Sequence, residues 1–202
     1  MHGEQLERIH SSGFIAILRG PDPEALIQRG VDLNAVGCTV IEVTLDSTDA
    51  LHVLHSLASN LPDDVLLGVG TVMHPLTELP EAAAAGARFA VSPIHPEHLV
   101  EAARAVDVLP VPGAATPDEL WRANFAGAPL VKLFPASTQW SPAALRSLPA
   151  PLRAIRTLPT GGIAPADVEA WLDAGAFACG IGGSLTPENA AGLIERIRAM
   201  TG

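Results

Sequence analysis

Apolar residues in this chain fall into short runs, separated by longer stretches where they recur at helical spacing. A brief amphipathic segment, Glu4 to Ser11, with Leu6 and Ile9 on one side, precedes the first run, Gly13-Phe14-Ile15-Ala16-Ile17-Leu18-Arg19-Gly20. Asp22-Pro23 then caps and opens a helix that runs to about Val36. The alternation continues with strands predicted at 39–45, 65–70, 88–92, 108–111, 130–134, 153–158 and 177–181. Helices are predicted at 48–60, 76–85, 96–106, 117–125, 142–148, 165–174 and 187–200. Eight strand-then-helix units of roughly 25 residues fill the chain. Strict alternation implies parallel strands with right-handed crossovers, either in a doubly wound open sheet or in a closed barrel. Gly68-x-Gly70 and Gly180-x-Gly182 do not extend to a dinucleotide fingerprint. The expected fold is therefore α/β, a compact (β/α)8 TIM barrel in one domain over residues 1–202, with the leading helix at its bottom.

Two strands carry a charge where the pattern calls for none. In Leu130-Val131-Lys132-Leu133-Phe134-Pro135, alternation places Val131 and Leu133 on one face and Leu130, Lys132 and Phe134 on the other. An ammonium in such a run loses water, so it seeks a carboxylate, surrenders its proton, or both. The functional reading is a Schiff-base nucleophile. The alternative is a rim lysine with a packed stem and a wet head. In Val40-Ile41-Glu42-Val43-Thr44, Glu42 points into the barrel mouth if Ile41 and Val43 face the helices. It is then either half of a structural ion pair or a general acid/base beside Lys132. Arg19, on the face of Ile15 and Ile17, suits capture of a carboxylate, or pairs with a loop acid at the rim.

Barrels carry their chemistry at the C-terminal strand ends and often bind phosphate at the loops after strands seven and eight. Here those loops read Thr160-Gly161-Gly162-Ile163 and Gly180-Ile181-Gly182-Gly183-Ser184. Glycine allows the backbone N–H groups to approach an anion closely. Thr71 follows the third strand and Ser92-Pro93 the fourth. Composition narrows the partners: 12 Lys plus Arg against 22 Asp plus Glu leave a formal charge of −10, which argues against nucleic acid or an anionic membrane. Apolar residues at 48% and charged residues at 17% describe a globular chain. Neither His52/His55 nor His95/His98 on their expected helices forms a recognisable ligand set, so no metal is expected. Cys38 and Cys179 read as buried free thiols, with a disulfide between them as the alternative, and the N-terminal residues lack a signal-peptide layout, so the expected location is cytoplasmic.

The strand ends taken in order are similar to a known family. Ile41-Glu42-Val43-Thr44-Leu45, Gly68-Val69-Gly70-Thr71-Val72, Val91-Ser92-Pro93, Pro112-Gly113-x-x-Thr116-Pro117, Lys132-Leu133-Phe134-Pro135-Ala136 and Pro159-Thr160-Gly161-Gly162-Ile163 resemble the 2-keto-3-deoxy-6-phosphogluconate (KDPG) aldolase family. That family includes 4-hydroxy-2-oxoglutarate (KHG) and 6-phosphogalactonate (KDPGal) aldolases. The resemblance implies a class I aldolase without metal or other cofactor, usually a homotrimer, that cleaves a keto acid phosphate to pyruvate and glyceraldehyde 3-phosphate. It assigns Lys132 as the Schiff-base lysine and Glu42 as the general acid/base. It puts Thr71 by the pyruvate carboxylate, Gly161, Gly162, Gly183 and Ser184 in the phosphate loops beside Gly182, and Pro93 and Phe134 in the walls. Gluconate-type enzymes resemble a pattern with arginine after Leu45, where this chain has Asp46. Asp46 and Arg19 resemble the galactonate branch; Thr160 resembles the gluconate branch and tips the expectation slightly that way. Cleavage of phosphate-free KHG and silent binding of a phospho-ligand are the rival functions.

Overall fold

The computed structural model describes residues 2–201. Helix α1 (Gly3–Ser12) leads into β1 (Phe14–Leu18), α2 (Pro23–Ala35), β2 (Val40–Thr44), α3 (Ala50–Asn60), β3 (Leu66–Gly70) and α4 (Pro75–Ala84). Next come β4 (Phe89–Val91), α5 (Leu99–Ala105), β5 (Leu109–Val111), β6 (Gly113–Ala114), α6 (Pro117–Phe125), β7 (Val131–Leu133) and α7 (Ala136–Gln139). The chain closes with α8 (Pro142–Ser147), α9 (Ala150–Arg153), β8 (Thr157–Pro159), α10 (Val168–Asp173), β9 (Cys179–Ile181) and α11 (Pro187–Thr201).

Every strand pair is parallel, as alternation with helices requires. Six strands form one curled sheet in the order β5-β4-β3-β2-β1-β9, and three form a second, β6-β7-β8. The sheets adjoin at both ends. Pro112 separates β5 from β6 in one continuous run, and its carbonyl accepts from Lys132 N–H at 2.8 Å. On the other side Phe177 N–H donates to Thr157 O at 2.9 Å, and Thr160 forms a parallel bridge with Gly180.

Alternation sorts the core into two layers. Ile41, Val43, Val69, Val131 and Leu133 pack outward against the helices. Ile15, Val40, Leu66, Phe89, Leu109, Leu130 and Leu158 pack inward on one another. Ile9 of α1 joins that inner layer and is fully buried, so the leading helix covers the end opposite the loops that follow the strands. Each such aliphatic contributes about 1.5–3 kcal/mol on burial, and together they hold the strand ends that carry polar groups.

The cap expected at Asp22 is present, and a second helix is capped in another way. Asp22 accepts from Ala25 N–H ahead of Pro23, and Thr116 and Glu119 make a reciprocal capping box around Pro117. Several expectations need correction, among them the helix placed at 165–174, which starts only at Val168. The strand placed at 153–158 begins only at Thr157, because Arg153 ends the short helix α9. The helix placed at 96–106 starts at Leu99, because His98 ahead of it takes a left-handed backbone. His95 consequently lies before that helix, not on it. The four-residue α7 directly after the lysine strand was not expected.

Candidate active site

The register of β1 and β2 sets Ile17 beside Glu42, and β7 carries Lys132 among strands that are buried throughout. Glu42 is 1% exposed and Lys132 4% exposed. Both side chains open onto a cavity of about 400 Å³, a size that suits a small metabolite. Arg19, Phe134, Thr160, Gly161, Gly162, Gly182, Gly183 and Ser184 line the same cavity. Of the residues singled out in the sequence, two lie off this lining. Thr71 reaches the site through Arg19, whose Nη2 donates to Thr71 Oγ1 at 2.9 Å. Pro93 lines a neighbouring cavity with Ile94, Gly113 and Ala114, so its place as a wall of the lysine cavity is not reproduced.

Burial governs the two charged groups. It pushes the Lys132 ammonium below its ordinary pKa, an effect opposed by Glu42 and reinforced by Arg19. Burial likewise pushes Glu42 up, while Lys132 and Arg19 pull it down. The pair therefore shares a proton more evenly than it would in water, which suits an amine that must attack and an acid that must both give and take. The Lys132 nitrogen also lies 4.7 Å from the centroid of the Phe134 ring, within cation–π range while it is protonated.

The neighbouring strand makes room for the carboxylate. A Cβ on Gly70, which pairs with Thr44, would overlap Oε1 and Cδ of Glu42. A Cβ on Gly180 would likewise overlap the Thr160 hydroxyl. The steric role of these two glycines is visible only from strand pairing.

Arg19 is held by its inner edge. Its Nε donates to Thr44 Oγ1 at 3.3 Å and lies 3.4 Å from Asp46 Oδ1. Thr44 in turn shares a hydrogen bond with Ser47, whose Oγ accepts from Gly20 N–H. Thr71 takes a left-handed backbone, φ 59°, which is strained for a β-branched residue and turns its hydroxyl toward Arg19. Gly161 and Gly162, both at positive φ, make the turn after β8. The N–H groups of Gly162, Gly183 and Ser184 meet no acceptor among the described residues. Among the described residues no group of three His, Cys, Asp or Glu side chains is arranged to hold a metal ion.

A family model described as KDPG and KHG aldolase matches residues 6–200. The KHG/KDPG aldolase of Escherichia coli K12 is 38% identical over 168 residues, covering 82% of this chain and 78% of that protein. The 2-dehydro-3-deoxy-6-phosphogalactonate aldolase of the same strain is 34% identical over 175 residues, covering 85% and 83%. A solved KDPG aldolase from Legionella pneumophila, with pyruvate captured as a covalent carbinolamine, matches with a TM-score of 0.78 at 30% identity, covering 95% of each chain. With its buried lysine and glutamate on one cavity, the chain belongs to the KDPG and KHG aldolase family and is an aldolase, a carbon–carbon lyase.

Proposed function

We propose that this aldolase cleaves KDPG to pyruvate and glyceraldehyde 3-phosphate through a Schiff base on Lys132. The observation that carries this reading is the burial of Lys132 and Glu42 on the cavity that the two glycine loops also line. The unprotonated Lys132 amine attacks the C2 ketone, and Glu42 moves protons as the carbinolamine loses water. The resulting iminium draws electrons from the C3–C4 bond. Glu42 then takes the C4 hydroxyl proton, directly or through water, and that bond breaks. The enamine is protonated at C3, and hydrolysis of the pyruvyl imine frees Lys132. Arg19 and Thr71 hold the carboxylate, and the free N–H groups of the glycine loops receive the phosphate. Phe134 forms a wall.

In this reading the two sheets make one closed (β/α)8 barrel, supported by the Thr160–Gly180 bridge and by Pro112 running β5 into β6. The decisive experiment compares pyruvate release from KDPG, its C4 epimer and phosphate-free KHG. KDPG should be cleaved fastest, with kcat/KM at least ~10-fold lower for KHG, which lacks the charge-assisted phosphate contacts. Faster turnover of the epimer would transfer the assignment to the galactonate branch, which the Arg19–Asp46 pair favours. No pyruvate from any of the three would end the catalytic reading.

A homotrimer in the cytoplasm completes the proposal. Two free, buried cysteines suit a reducing compartment. Trp121 and Phe125, four apart on α6, are 46% and 82% exposed and supply apolar surface for a second copy. Sedimentation should give three times 20.9 kDa; a monomer at micromolar concentration would refute it.

A further inference from the structure

Arg29 lies in the middle of α2 and does not line the cavity, yet its guanidinium serves the loop that does. Its Nη2 donates to both the Gly182 and the Leu185 carbonyls, each at 3.0 Å. The side chain is half-buried, and among the described residues no carboxylate lies within ion-pair distance of it. A partly desolvated cation without an acid is costly unless its hydrogen bonds or its charge serve something.

The planar trans peptide shows what that is. The Gly182 carbonyl and the Gly183 N–H belong to one peptide unit and point in opposite directions. Holding the carbonyl from the α2 side therefore turns the N–H the other way. Other contacts fix the rest of the turn: Leu185 N–H also donates to Gly182 O, and Asn189 Nδ2 donates to Ser184 O at 2.9 Å. The carbonyls are thus occupied while the Gly183 and Ser184 N–H groups are not. Gly182 and Gly183 would place a Cβ in open space, and both line the cavity.

We infer that Arg29 is a positioning residue for the phosphate end of the substrate: it aims the Gly183 N–H into the cavity and sets an unbalanced positive charge behind the loop. This rests on the phospho-aldolase reading above. In a chain of net charge −10, such a local cation offsets the repulsion of an anionic substrate.

The test separates phosphate binding from chemistry. Arg29→Met keeps much of the side-chain stem and removes the charge and both hydrogen bonds. It should raise KM for KDPG about tenfold, with kcat within about twofold and with KM for phosphate-free KHG unchanged. Inorganic phosphate should weaken as a competitive inhibitor by a similar factor. Arg29→Lys, which keeps the charge but not the fork, should show a smaller rise of about three- to fivefold, and it carries the test alone if the methionine variant fails to fold. An equal rise for both substrates, or none for KDPG, overturns the inference while leaving the aldolase standing. A wild-type enzyme indifferent to the phosphate overturns the phosphate reading and this inference together.

Discussion

Lys132→Met is expected to lower kcat by at least ~10⁴-fold, because the covalent route disappears and only binding contacts remain. Borohydride added with pyruvate should inactivate the wild type and label Lys132, and should label nothing in the variant. Lys132 is the only lysine in the sequence, so undiminished labelling in the variant would remove it from the mechanism. The pH dependence of trapping carries a further sign. Attack needs the free amine, and burial moves its pKa below 10.5, so the rate should rise with pH and level off below that value. Arg19 pushes the pKa down and Glu42 holds it up. Arg19→Met should therefore move the rising limb to higher pH, and Glu42→Gln should move it lower. Linkage gives the same sign for folding. Between the folded value and 10.5 the native chain binds fewer protons than the unfolded one, so Lys132 makes stability rise with pH across that window.

Glu42→Gln is expected to cost roughly 10²–10⁴-fold in kcat, the usual range for a general acid/base. Pyruvate should still bind, so KM changes much less than kcat. Gly70→Ala tests the same group from the neighbouring strand. The added Cβ overlaps the Glu42 carboxylate, so activity should fall even though the fold is kept by the rest of β3. Combining Gly70→Ala with Glu42→Asp shortens the acid and should recover part of that loss, although Glu42→Asp alone lowers activity. Full activity in Gly70→Ala, measured by coupled pyruvate release, would show that the carboxylate has another place to go.

The period-two reading of single strands carried far into the site. It put Lys132 and Leu130 on one face and Val131 and Leu133 on the other, and the two core layers divide in that way. It also placed Glu42 opposite Ile41 and Val43. What it could not reach were relations between strands and between a helix and a distant loop. Gly70 under Glu42, Gly180 under Thr160 and Arg29 behind Gly182 each join residues far apart in the chain. No local pattern encodes such distances. The left-handed turn at Thr71 was hidden for a different reason: threonine is a poor signal for that backbone, and tertiary contacts impose it. Arg153 belongs to a short helical turn that Pro149 opens, and the strand begins only at Thr157.

The glycines beneath Glu42 and Thr160 also constrain how this enzyme can diverge. Each is half of a matched pair, so drift at one position is judged by what stands at the other. A side chain gained at 70 or 180 before its neighbour shrinks meets a crowded intermediate, whereas the reverse order leaves only a gap. Lineages that alter the acid or the hydroxyl should therefore change the large residue first and the glycine second.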